Sequence, residues 1–126
     1  MKKILLSLLC VTLLTACQES LEDRCEREAK EYTKKHCPAL IAKNVILEEM
    51  AFDKSTHTII YIYTLKGELN NLEVIKASEP RKRLLEQIKS STNLKLYKDA
   101  GYNFRYVYYS TKLFDATFRK SDYDKH

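Results

Sequence analysis

The stretch that decides the fold is Thr58-Ile59-Ile60-Tyr61-Ile62-Tyr63-Thr64-Leu65, in which every residue is apolar, β-branched or aromatic. Such side chains fit the pleated surface of a sheet, and successive side chains along a strand point to opposite faces. Because both alternating sets are largely apolar here, the segment predicts a strand in the middle of a sheet.

A second strand precedes this one. Val45 to Phe52 begins with three apolar residues, and the following segment, Asp53-Lys54-Ser55-Thr56-His57, has the composition of a turn. Two strands joined by so short a turn predict an antiparallel hairpin.

A second hairpin is predicted near the C-terminus. Gly101 stands where a positive φ suits the chain before a strand, and Asn103 to Tyr109 then alternates aromatic with other residues. The pattern returns over residues 112–120, so we expect two further antiparallel strands. Residues 121–126 are polar, which predicts a flexible C-terminal tail after a domain spanning residues 21–120.

Two helices are predicted beside these hairpins. Residues 21–36 are strong helix formers that place apolar or small side chains every three or four positions, and Pro38 ends the pattern. Ser78-Glu79-Pro80 is typical of a helix start with serine as the cap, and the helix is expected to run to about Ser90 with Leu84, Leu85 and Ile88 buried. Residues 66–77 between the hairpin and this helix predict a connection, within which Leu72 to Ile75 could form a helical turn.

The predicted order of elements is αββαββ. The expected fold class is therefore α+β, a four-stranded antiparallel sheet with two helices on one face. The side chains expected to face the helices are Ile59, Tyr61, Tyr63, Leu65, Phe104, Tyr106, Tyr108, Phe114 and Phe118.

The opposite face of the sheet is the candidate surface for a partner. Apolar side chains in its centre and polar ones around them give the composition of a modest protein contact. The residues predicted to form it are Ile60, Ile62, Arg105, Val107, Tyr109 and Arg119.

The N-terminus has the pattern of a secretory signal peptide. Lys2 and Lys3 precede an uncharged stretch of thirteen residues from Ile4 to Ala16. As a helix this stretch would cover about 20 Å, whereas a bilayer core is roughly 30 Å thick. It is too short for a membrane span.

The end of this leader, Leu14-Thr15-Ala16-Cys17, resembles the lipobox of bacterial lipoproteins. The resemblance implies that residues 1–16 are a removed leader, that a diacylglyceryl thioether forms on Cys17, and that the new amino terminus is acylated. Residues 17–20 would then be an acylated tether. Two or three acyl chains such as palmitate, at about 0.8 kcal/mol for each buried methylene, hold a protein on a membrane stably. The alternative is an ordinary secreted chain with a cysteine at this position.

The resemblance to lipoproteins also sets the net charge and the localisation expected of the mature protein. The 126-residue chain carries a net charge of +5, and removal of the leader would lower it to +3. So mild a charge indicates no nucleic-acid partner. We expect a lipid-anchored protein of the cell membrane or outer membrane that faces the periplasm or the cell surface, and an acidic segment over residues 18–23 is one that some bacteria use for surface export.

The cysteines of the mature chain offer no catalytic or metal site. Only Cys25 and Cys37 remain after Cys10 and Cys17 are assigned, and twelve helical residues separate them by about 18 Å, whereas a disulfide needs about 5.5 Å between Cα atoms. We expect two free thiols. His36 beside Cys37 lacks an orienting group, and His57 and His126 complete no ligand spacing, so we expect no metal, no cofactor and no enzyme activity.

Most of the mature chain also resembles a group of small exported bacterial proteins with no assigned activity. The residues that carry the likeness are Cys37-Pro38, Tyr61 to Leu65, and Gly101 followed by Phe104 to Tyr108. The predicted function is a membrane-anchored envelope lipoprotein that acts as a protein-binding or accessory module. The alternative is a carrier of a small ligand, with a pocket between helices and sheet.

Overall fold

The computed structural model describes residues 19–109 and 114–124. The predicted leader over residues 1–16, the lipid attachment at Cys17 and the turn after Tyr109 lie outside them. The elements in chain order are α1 Leu21–His36, β1 Ala39–Ala42, β2 Val45–Asp53, β3 Thr58–Leu65, a 3-10 turn Gly67–Leu69, α2 Leu72–Ala77, α3 Pro80–Ser90, α4 Lys95–Asp99, β4 Asn103–Tyr109, β5 Phe114–Phe118 and α5 Lys120–Tyr123. No helix within the described ranges is both long and apolar enough to cross a membrane.

The sheet is mixed and has five strands in the order β1-β2-β3-β4-β5. Both predicted hairpins are present and antiparallel, but the predicted all-antiparallel sheet is wrong at its centre. There β3 and β4 run parallel, with Thr58 beside Asn103 and Thr64 beside Tyr109. The fold class is α+β, as predicted.

The long connection between the two hairpins makes the parallel pairing possible. Parallel neighbours require the chain to return to the same end of the sheet, and such a crossover takes a dozen or more residues. Residues 66–102 make that return and contain the 3-10 turn, α2, α3 and α4. Only one full helix was predicted in this segment, with a helical turn over residues 72–75 where α2 lies, and β3 with β4 had no local signal of direction.

The fifth strand, β1, was not predicted. Ala39–Ala42 is only four residues long and pairs antiparallel with the start of β2, with Ala39 opposite Leu47. So short a segment has too few positions for an alternating pattern to appear.

The core lies between the helices and one face of the sheet. Its fully buried large side chains are Ile88 of α3, Phe104 of β4 and Phe118 of β5. All nine side chains predicted to face the helices belong to this core or pack against it. Leu84 is buried as predicted, and Leu85 is partly buried at the margin.

Two predicted chain ends differ in the structure. Ser78 does not cap α3; it follows α2, and its hydroxyl donates a hydrogen bond to the Ile75 carbonyl. Glu79 with φ of 47° precedes α3. The expected flexible tail is partly ordered, because α5 places Tyr123 in the core, where its hydroxyl donates to the Tyr102 carbonyl at 2.9 Å.

Helix α1 forms over the predicted residues and closes part of the free edge of β2. Strand β1 pairs with β2 only as far as Leu47, which leaves the outer backbone groups of Met50 without a strand partner. The Thr33 hydroxyl donates to the Met50 carbonyl at 2.9 Å and accepts from its N–H at 3.0 Å. The Thr33 side chain thus pairs with backbone groups that a neighbouring strand would otherwise occupy. This pairing keeps the edge of β2 from forming a sheet with another chain.

We predict that Thr33→Val lowers the free energy of unfolding by about 1–3 kcal/mol, because the isosteric side chain leaves both Met50 groups unpaired. Thr33→Ser keeps the hydroxyl, so we expect a clearly smaller loss in the free energy of unfolding. Urea denaturation measures both variants. Equal losses would mean that the hydroxyl does not carry this contact.

Candidate protein-binding surface

The helix-free side of the sheet, here called the open face, gathers the predicted binding residues. The parallel register places Ile60 beside Arg105 and Ile62 beside Val107. Tyr109 follows on the same face, beside Thr64. These residues were assigned to the correct face although the pairing direction was wrong, because side-chain alternation depends only on the strand itself.

The apolar part of the open face runs from the centre of the sheet toward β1. Ile62 and Val107 are half-buried by their neighbours, whereas Tyr109 is 58% exposed. Leu40 lies opposite Ile46 at the sheet edge and is 73% exposed. Sequence analysis missed Leu40 because it missed β1.

A polar hollow of about 580 Å³ occupies the other end of the open face. Arg119, the sixth predicted residue, reaches this hollow from the start of α5, where its N–H donates to the Asp122 carboxylate. The side chains around the hollow are Asp53, Thr56, Thr58, Ile60, Asn103, Arg105, Asp115, Thr117 and Arg119.

One ion pair fixes the rim between the apolar and polar parts. Arg105 donates two hydrogen bonds to the Asp115 carboxylate, at 2.9 and 2.6 Å, from a diagonal position on the neighbouring strand. These bonds lower the pKa of Asp115 and raise that of Arg105, so both groups stay charged at neutral pH. Both side chains are about half exposed, and such a pair contributes only about 0–1 kcal/mol to stability. The ion pair holds the planar guanidinium of Arg105 in place near Val107.

The space between helices and sheet is largely filled by tyrosines. The Tyr61 and Tyr106 rings stack at 4.8 Å, and Tyr63 meets Tyr108 edge-on at 5.6 Å. A hollow of about 330 Å³ remains at one end, lined on the sheet side by Tyr63, Leu65 and Tyr108. The predicted carrier pocket between helices and sheet would lie at this end.

A family model for a domain of unknown function, DUF8479, matches residues 20–117, from the residue before α1 to the penultimate residue of β5. The chain belongs to the DUF8479 family. No curated protein matches the sequence.

A solved structure is similar to this DUF8479 chain: a "putative secreted protein" from Pseudomonas aeruginosa, with a TM-score of 0.65. The two sequences are 16% identical, and the similarity covers 83% of this chain and 98% of the other. At this identity the likeness shows a shared fold.

Two cysteines, Cys25 and Cys37, lie among the described residues of this family member, and both are free. Cys25 is buried on the apolar side of α1, and burial raises its pKa to about 12. Cys37 follows the end of α1, and its partial burial also raises its pKa. Neither thiol is activated as a nucleophile would be.

His36 and His57 have structural contacts, and His126 lies outside the described residues. The His36 ring packs on Tyr32 at 4.8 Å. His57 has φ of 53° in the β2–β3 turn, stacks on Tyr102 at 5.0 Å and lies 2.9 Å from the Glu22 carboxylate. Within residues 19–109 and 114–124 no three His, Cys, Asp or Glu side chains are grouped to hold a metal ion.

We predict that Ellman's reagent at pH 8 labels Cys37 in a folded variant in which serine replaces Cys10 and Cys17, and labels Cys25 only after denaturation. A thiol with pKa about 12 is roughly one ten-thousandth thiolate at that pH, and Cys25 is also shielded. Cys37→Ser should remove the native signal and Cys25→Ser should keep it. Fewer than two thiols in the denatured, unreduced protein would instead indicate a disulfide.

Proposed function

We propose that this protein is an exported bacterial lipoprotein, anchored by acyl chains on Cys17, whose domain binds another envelope protein through the open face. It acts as an accessory module and performs no catalytic step itself. The observation that carries the binding function is the open face, an ordered sheet surface that no helix of the described chain covers.

The anchor rests on the leader and lipobox pattern before the domain. The family match begins at residue 20, three residues after Cys17, so the pattern lies outside the folded unit. The similar Pseudomonas aeruginosa protein, described as a putative secreted protein, supports export. Neither comparison bears on lipidation.

The short tether would orient the domain. Four residues from Cys17 to Leu21 span at most about 14 Å, so the start of α1 would stay close to the bilayer. Asp23 pairs with Lys54 at 2.8 Å and Glu22 meets His57, which joins the start of α1 to the β2–β3 turn. That turn would face the membrane, and the open face would extend away from it.

The open face has the arrangement that a protein contact requires. Ile62 and Val107 offer an apolar centre, Tyr109 adds a rigid aromatic surface with a polar end, and Arg105 is held at the rim by Asp115. Aromatic and arginine side chains around an apolar centre are enriched at protein interfaces.

A small-ligand carrier is the second candidate. The hollow of about 330 Å³ between helices and sheet, with Tyr63 and Tyr108 on its walls, is the observation in its favour. It lies at the lower end of the volumes of ligand sites, and most of the surrounding space is closed by stacked tyrosines. If the protein is a carrier, substitutions on the open face should leave ligand binding unchanged. This outcome distinguishes the two functions.

We predict that mass spectrometry of the protein purified from bacterial envelopes finds an N-terminus at Cys17 carrying a diacylglyceryl group and an amide-linked acyl chain. Cys17→Ser should leave the leader uncleaved and the acyl groups absent. Cys10→Ser, a cysteine change within the leader, should be processed normally. An unmodified N-terminus in the wild-type envelope protein would contradict the anchor.

We predict that Val107→Glu lowers recovery of the envelope partner with the acylated protein at least tenfold, because burying an unpaired carboxylate in an interface costs several kcal/mol. Leu96→Glu places the same charge on α4, away from the open face, and should leave recovery unchanged. Circular dichroism checks folding, and quantitative mass spectrometry of purified envelopes measures recovery. Equal recovery with both variants would exclude the open face as the docking surface.

A further inference from the structure

A second apolar surface lies on the helical side, in a groove between α2, α3 and the start of β5. Its floor is formed by Leu72, Ile75, Pro80, Leu85 and Phe114. The groove has a volume of about 660 Å³, is open to solvent along one side, and leaves Leu72 44% exposed. It shares no residue with the open face.

Glu79 separates the two helices that line this groove. Its left-handed backbone, with φ of 47° and ψ of 61°, interrupts the chain between α2 and α3. An L-residue seldom adopts this conformation, so the bend is a specific feature of the chain.

The rim of the groove is basic. Lys76, Arg81 and Lys82 surround the apolar floor, against the carboxylates of Glu79 in the groove and of Asp122 beside Arg81. The Arg81 guanidinium lies 4.8 Å above the Phe118 ring and 3.8 Å from Asp122, which fixes it in place. The positive end of the α3 dipole adds to the charge.

The groove lies far from the end of the domain that carries the start of α1. Phe114 pairs with Tyr108 beside the C-terminal end of β3, whereas the β2–β3 turn lies at its N-terminal end, roughly 20 Å away along the strand. If Cys17 anchors the chain, as proposed above, the floor at Leu72 and Phe114 faces away from the bilayer.

We propose that this groove binds an acidic amphipathic helix of a partner envelope protein. The apolar side of such a helix would cover Leu72, Leu85 and Phe114, and its carboxylates would meet Lys76, Arg81 and Lys82. This inference rests on the proposed function for its orientation and names a class of partner that the open face does not specify.

A helix fits the groove better than other occupants. The walls are side chains of α2 and α3, whose backbone groups bond mainly within their own helices, so an extended peptide would find few backbone partners there. A helix satisfies its own backbone and docks by side chains alone. A membrane lipid would have to leave a bilayer that lies at the other end of the domain, and an open groove would cover little of its surface.

The test is photo-crosslinking of the full-length protein in living cells. Benzoylphenylalanine replaces Leu72 in the groove or, as the control, Leu96 on α4, which is 45% exposed and lies outside the groove. We expect a crosslink from position 72 only, mapped by mass spectrometry to an acidic segment of another protein with helical apolar spacing. A crosslink to lipid, to a second copy of this chain or to a basic segment would overturn the proposal, and so would no crosslink.

Charge variants test the basic rim in the same cells. The pair Lys76→Glu and Lys82→Glu should reduce the crosslink at least tenfold, whereas Lys89→Glu, at the far end of α3, should leave it unchanged. Acylation of Cys17 is measured in the same samples. If Cys17 is not acylated and the crosslink persists, the lipid anchor is contradicted and helix binding in the groove is retained. If Cys17 is acylated normally and the rim variants do not change the crosslink, only helix binding in the groove is contradicted.

Discussion

The parallel pairing of β3 with β4 is the constraint on which the rest of the molecule depends. It requires residues 66–102 to return along the sheet, and the helices of that return cover one face together with α1. The other face is left without a helical layer. The same register that buries Phe104 beside Ile59 therefore sets Val107 beside Ile62 on the open face.

The two candidate surfaces follow from different parts of this arrangement. The open face results from the alternation of side chains along each strand. Among the described residues, the Arg105–Asp115 ion pair is fixed on this face. The groove is a product of the return connection, since it exists where Glu79 bends the chain between α2 and α3. A domain with two separate apolar surfaces suits the proposed role of binding other envelope proteins.

Local patterns predicted much of this structure. Both hairpins, α1, the burial of Ile88 and the faces of Ile60 and Val107 follow from alternation or helical spacing within single segments. The direction of β4 relative to β3 does not, because nothing in either strand encodes it. The short elements β1, α4 and α5 were also missed, and Tyr123 illustrates the reason: its polar neighbours indicate a loose end, while a distant carbonyl at Tyr102 holds it in the core.

The most direct test of this account is a nuclear Overhauser spectrum of the isotope-labelled protein. Parallel strands predict contacts between Ile59 and Phe104 and between Tyr63 and Tyr108. Contacts of Ile59 with Tyr108 and of Tyr63 with Phe104 would mean antiparallel strands. That result would contradict the return connection and, with it, the origin assigned to both surfaces.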